Sequence, residues 1–247
     1  MKDYVLILGA TSGIARALGR ALAGRWQNLV LAGRDLEELE RLGADLNLRH
    51  GIEVVVEPFD ARAFDEHRSF LERCAERRGR GLVGVVLCYG VMADQEKARR
   101  DFSLAHEMIE VNYSSAVSIL NCAADFFKQR DSGFICAVTS VAGDRGRASN
   151  YLYGSTKAAL SVYLEGLGAA LADTNVKVID VKPGPVKTTM TWGLPVAGPL
   201  AEPERIAADI CAAIDRSKPL IYSPWIWRWI MIVIRWIPRR IFVKMKM

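Results

Sequence analysis

The sequence predicts an α/β fold. It is a doubly wound parallel sheet of about seven strands between helices, three layers in one domain, with a C-terminal amphipathic extension. Three observations predict it. Short apolar runs alternate with longer amphipathic ones along residues 4 to 222. The short runs are almost continuously apolar, the pattern of strands covered on both faces. A glycine-containing turn joins the first run to the first amphipathic stretch.

In order, "YVLILGA" is a buried strand and Ser12 to Arg25 a helix. "LVLAG" is the second strand, and "DLEELERLGADLNLRHG" a helix that stops at Gly51. "EVVVEPFD" is the third strand. Residues 61–78 have helical apolar spacing at Phe64, Phe70, Leu71 and Cys74. "LVGVVLCYG" is the fourth strand, and one long helix is expected from about Phe102 to Gln129. "GFICAVTS", a helix over Ser149 to Ala172, "VKVIDVKPG", a helix from Pro203 to Arg216 and "PLIYS" complete the alternation. Thr189 to Pro203 is rich in Pro and Gly and reads as a lid over the site.

The 247 residues are 51% hydrophobic and 25% charged, which suits one domain with a large core. The formal charge of +5 is unevenly distributed. Ser223 to Met247 carries six bases and no acid, leaving 27 bases against 28 acids, or −1, in the body. A near-neutral body argues against nucleic acid, and a cationic tail points to an anionic surface. The five cysteines contain no C-x-x-C, and the three histidines have no ligand spacing, so no metal site is expected. The chain opens directly into a strand, with no signal-peptide pattern.

The first turn supplies a candidate phosphate site at Gly9, Thr11, Ser12, Gly13, Ile14 and Ala15. Glycine lets the backbone approach a pyrophosphate, and the helix N-terminus offers free N–H groups and positive potential. The second strand ends in Gly33-Arg34, where dinucleotide sites selective for NAD carry an acid. An arginine in place of a carboxylate favours a 2′-phosphate, hence NADP(H). The alternative is that Arg34 is a solvated residue paired locally with Asp35.

Tyr153 and Lys157 stand four apart on the fifth helix and share a face. Ser140 ends the fifth strand, and Asn112 lies inside the long fourth helix. In this order, after a glycine-rich strand-turn-helix, these residues resemble the short-chain dehydrogenase/reductase family over residues 3 to 222. The resemblance implies a Rossmann-type fold and a redox enzyme. Tyr153 would give a proton to a carbonyl oxygen, with its pKa tuned down by Lys157, and Lys157 would also meet the nicotinamide ribose. Ser140 would bond the developing alkoxide, and Asn112 would hold a relay water. By the same resemblance, Asp60 and Ala61 would meet adenine, and Tyr89 and Gly90 would line the cofactor. Pro183, Gly184, Val186 and Thr188 would hold its nicotinamide half. The sequence departs from the family's N-A-G, having Cys88-Tyr89-Gly90 in its place.

The stretch "WIWRWIMIVIRWIPRR" holds four of the six tryptophans. Ser223-Pro224 reads as a helix N-cap and first-turn proline, and Pro238 as a stop or kink. The apolar run is shorter than the roughly 20 residues of a spanning helix. Arg228, Arg235 and Arg239 are expected on one stripe of an interfacial helix, so residues 224–247 would bind an anionic membrane. Burial between subunits of a dimer or tetramer, and a true span, are the alternatives.

"TSVAGDRGRASNYLYGSTKA" and "RWIMIVIRWIPRRIFVKM" are further similar to the decaprenylphosphoryl-2-keto-erythro-pentose reductases. That resemblance implies reduction of a polyprenyl-phosphate keto-sugar after a flavin-dependent oxidase, at the inner face of a bacterial membrane. Arg145 and Arg147 would contact the substrate phosphate, or else stand as solvated loop charges. A reductase for another lipid or small carbonyl, and a non-catalytic cofactor-sensing scaffold, are the competing functions. The domain segments would be residues 1–222 and 223–247.

Overall fold

The computed structural model describes residues 3–25, 27–75, 81–193 and 200–245. Seven strands form one sheet: β1 (Tyr4–Leu8), β2 (Asn28–Gly33), β3 (Val54–Pro58), β4 (Leu82–Leu87), β5 (Gly133–Val138), β6 (Val176–Pro183) and β7 (Leu220–Ser223). The order is β3-β2-β1-β4-β5-β6-β7 and every pairing is parallel. Strand order reverses between β1 and β4, which opens a crevice at their carboxyl ends.

The sheet separates two cores, because successive strand side chains point to opposite faces. Val5, Ile7, Leu29 and Leu31 meet α1 (Gly13–Ala23), α2 (Leu36–His50) and α8 (Pro203–Asp215). Leu6, Leu8, Val85 and Leu87 meet α3 (His67–Ala75), α6 (Ser115–Arg130) and α7 (Tyr151–Ala170). Each fully buried aliphatic chain contributes about 2 kcal/mol.

Four local expectations are corrected. A 3₁₀ turn, Phe64–Glu66, precedes α3, and the expected helix beyond Ala75 falls outside the described residues. A short helix, α4 (Gln95–Arg100), precedes the fourth long one, with Asp94 capping its N-terminus. The long helix is three pieces: α5 (Phe102–Ile109), a π-helical turn at Glu110–Ser114, and α6. Side-chain bonds of Asn112 to neighbouring segments hold that turn, and helical periodicity cannot show such bonds.

The fourth concerns the tail. Ser223 caps no helix. It is the buried last residue of β7, and its hydroxyl donates to Asp209 at 2.7 Å. The tail helix α9 (Ile226–Trp236) begins three residues later, and α10 (Arg239–Phe242) follows the break at Pro238. Arg239 therefore does not share a helix with Arg228 and Arg235. Among the described residues, no helix is long and apolar enough to cross a membrane.

Helix α9 is apolar nearly all round. Trp227, Ile230, Met231 and Ile234 face the body, Met231 fully buried. Trp225, Trp229, Val233 and Trp236 face outward, with Trp236 82% exposed.

Candidate active site

The crevice gathers residues from the carboxyl ends of β1, β4, β5 and β6. After β1, the turn is held shut by local bonds. The Ser12 hydroxyl caps α1, accepting from Ala15 N at 3.3 Å, and donates to the Cys88 carbonyl at 3.4 Å. Arg16 ties the same turn down, donating to the Thr11 carbonyl at 2.8 Å and to Glu38 at 2.6 Å.

Glycine is needed here because the chain closes tightly on itself. Gly9 has φ +75°, and a Cβ there would come within 2.6 Å of Tyr89 Cβ. At Gly13 a Cβ would meet Thr188 Cγ2 at 3.0 Å, so the turn and the loop after β6 close on each other. At Gly90 it would meet Asn112 Oδ1 at 3.1 Å and Lys157 Nζ at 3.4 Å. The N-terminus of α1, directly after β1 and free of side chains at Gly13, fits the phosphates of a dinucleotide cofactor. Asp60, at the far end, is exposed and accepts from Arg62 N at 2.9 Å, beside Ala61. Gly33 closes β2 and Arg34 is exposed beyond it. Asp35 is spent on capping α2, accepting from Glu38 N, so it is not Arg34's partner.

Asn112, Ser140, Tyr153 and Lys157 converge. The Asn112 amide accepts from Val91 N and donates to Val91 O, both at 2.8 Å, and donates to Thr156 at 3.1 Å. Ser140 caps the turn after β5, accepting from Ala142 N at 3.1 Å, and its hydroxyl faces the Tyr153 phenol. Burial pushes that phenol up to about 12, and only Ser140 opposes the shift. Lys157, which the resemblance expects to lower it, donates its Nζ to the Val138 carbonyl at 3.0 Å. Burial brings Lys157 down to about 8, with Asp180 and then Cys88 opposing.

Two further features, Asp180 and Asp144, had weaker sequence signals, and the predicted loop after β6 lies beside them. Asp180, a carboxylate in an apolar strand, accepts from Thr139 and Ser161 behind Lys157, and burial raises its pKa. Asp144 joins Lys182 and the Tyr222 hydroxyl, each at 2.7 Å. Pro183 ends β6, and Gly184 N donates to the Ser223 carbonyl at 3.0 Å. Val186 is buried and Thr188 opens a 3₁₀ turn.

The arginines after Ser140 face the tail. Arg145 donates to the carbonyls of Ile234 (2.5 Å) and Arg235 (2.8 Å) and lies 4.1 Å over the Phe242 ring. It satisfies the open C-terminal carbonyls of α9. Arg147 touches Met231 Sδ at 3.5 Å, and its Nε is buried with no hydrogen-bond partner among the described residues. Burial lowers its pKa.

Comparison with known proteins agrees with this architecture. An uncharacterized oxidoreductase of Mycobacterium tuberculosis is 32% identical over 241 residues, 98% of this chain and 96% of that protein. Another, from Streptomyces coelicolor, is 33% identical over 242 residues, 96% of this chain and 94% of that one. Among solved structures, a short-chain dehydrogenase from Sphingobium yanoikuyae in complex with NADPH superposes with a TM-score of 0.83 at 22% identity. It covers 94% of this chain and 92% of that one. Actinorhodin polyketide ketoreductase with NADPH gives 0.80 at 20% identity, over 91% and 97%. At those identities the likeness is one of fold. The family model for short chain dehydrogenase matches residues 3–196, and the chain belongs to that family of oxidoreductases.

Proposed function

We propose that the chain uses NADPH to reduce the 2-keto group of a polyprenyl-phosphate-linked pentose, the second step of a ribose-to-arabinose epimerisation. The ketone would come from a flavin-dependent oxidase. NADPH, when bound, supplies the hydride. Tyr153, kept protonated by burial, holds the proton that the carbonyl oxygen receives. The Ser140 hydroxyl bonds that same oxygen as its charge grows. Lys157, beside Gly90, bonds the ribose, and Asn112 keeps the path from Lys157 to water in register. Arg34, exposed past β2, takes the 2′-phosphate. The helix N-terminus that Ser12 caps, directly after β1, supports the cofactor, as do the fold relatives that hold NADPH.

One observation carries the substrate class: the two faces of α9. Its inner stripe touches the Arg145–Arg147 loop beside Ser140. Its outer face presents Trp225, Trp229, Val233 and Trp236, near Arg228, Arg235, Arg239 and Arg240 and no acid. Such a helix lies in the headgroup region of an anionic bilayer, which sets the site mouth at the depth of a lipid-linked sugar. Arg147, without an ion-pair partner among the described residues, suits the phosphate.

The test is NADPH oxidation with polyprenyl-phosphoryl 2-keto-pentofuranose in anionic vesicles, using wild type and a Trp229→Gln/Trp236→Gln double variant. Turnover that falls in the double variant, with soluble ketones still reduced, is the expected result. Reduction of soluble ketones alone would replace this reading with a ketoreductase whose tail joins subunits. Truncation after Tyr222 is the wrong control, because it removes the Ser223 carbonyl that holds Gly184.

A further inference from the structure

The loop after β6 runs from Pro183 through Gly184 to Val186, on the nicotinamide side of the crevice. Its backbone is gripped from two sides, and both grips come from the C-terminal part of the chain. On one side Gly184 N donates to the Ser223 carbonyl at 3.0 Å. On the other stands the Trp227 indole. A Cβ built on Gly184 would lie 1.9 Å from Trp227 Nε1 and 2.2 Å from Cε2. The ring therefore occupies the volume that a side chain at 184 would need.

Trp227 is fixed there by its own helix. It lies one turn before Met231 on the inner stripe of α9, and Met231 is fully buried. The far end of that helix is bonded by Arg145, through the carbonyls of Ile234 and Arg235. Further along, Pro185 and Lys187 are tied to Ala201 by backbone hydrogen bonds, and at Gly184 the wide, rigid ring against bare backbone sets where the loop leaves β6.

We infer that Trp227 is a positioning residue for the cofactor: by packing on Gly184 it sets the loop that receives the nicotinamide half. The tail helix is then a wall of the active site as well as a membrane foot. The inference rests on the reading that a nicotinamide dinucleotide binds this crevice, and not on the membrane reading.

The experiment is equilibrium binding in detergent-free solution, followed by NADPH fluorescence, with adenosine 2′,5′-bisphosphate as a probe of the adenine half alone. Trp227→Ala is expected to weaken NADPH by about tenfold, the scale on which a misplaced site loop acts. It should leave the bisphosphate affinity unchanged, and Trp227→Phe should recover most of the loss. Unchanged NADPH affinity overturns the inference, and so does an equal loss for both ligands. If Trp227→Ala does not fold, Trp227→Phe and Gly184→Ala supply the reading. The new methyl of Gly184→Ala meets the indole and should cost NADPH affinity, which the smaller ring of Trp227→Phe should partly restore. Purely additive losses overturn the contact. Wild type that binds neither NADPH nor NADH overturns the cofactor reading itself and this inference with it.

Discussion

The Lys157 ammonium lies 5.9 Å from the centroid of the Tyr153 ring and gives its hydrogen bond to the Val138 carbonyl instead of the phenol. Lysine and tyrosine share a helical face, as their spacing requires, yet burial dominates the titration of both. The protein is thus set with a protonated phenol at neutral pH, the state that delivers a proton to a reduced carbonyl.

Lys157 also makes stability depend on pH. Burial brings its folded pKa down to about 8, below the ordinary lysine value of 10.5. Between those values the unfolded chain binds more protons, so stability rises with pH across that window. Below about pH 8 the folded state carries a buried charge that the unfolded state solvates freely. Lys157→Met should therefore be stabilised relative to wild type at pH 7 and lose most of that advantage by pH 10. The swing is about 3 kcal/mol for a shift of this size. Urea midpoints of both proteins at the two pH values check it; a pH-independent difference refutes it.

Tyr153→Phe keeps the ring and removes the proton. Turnover is expected to fall at least a hundredfold, the usual contribution of a positioned acid. NADPH affinity should hold within a factor of about two, because a single hydroxyl is lost and the ring stays in place. Single-turnover rates and binding titrations separate the two effects.

Arg34→Ala tests the 2′-phosphate. Loss of one charge-assisted contact should cost NADPH about tenfold in affinity and leave NADH unchanged. Equal effects on both cofactors would assign Arg34 to the surface.

Arg145→Ala removes the bonds to the Ile234 and Arg235 carbonyls and the stack on Phe242. The tail should fray from its C-terminal end. Limited trypsin digestion is expected to cut at Arg235 and Arg239 several times faster than in wild type, as local opening becomes easier.

The sheet was legible because most strands are nearly continuous apolar runs and most turns carry glycine or proline. Asn112, Ser140, Tyr153 and Lys157 stood out as candidates because their order and spacing are distinctive. Trp227 was not, since apart from Arg228 and Arg235 every position of α9 is large and apolar, and the sequence does not say which tryptophan turns inward. Ser223 misled for a related reason. A serine before proline signals a cap, but here the hydroxyl belongs to Asp209, fourteen residues upstream and adjacent only after folding. The roles suggested for Arg145 and Arg147 divide, because a guanidinium reads alike whether it meets substrate phosphate or a helix's last carbonyls.

The π-helical turn at Glu110–Ser114 is one residue longer than an α-helix needs. Deleting a residue there would let α5 and α6 run on as one unbroken cylinder, with better backbone geometry than the natural chain. It would also rotate everything on one side by about 100° and swing Asn112 away from Val91 and Thr156. The same rotation would turn buried Ala105 and Met108 of α5 off the core, so such a shortened protein should lose melting temperature as well as turnover. In this segment the irregularity is a spacer that lets one stretch of chain serve the core and the crevice together.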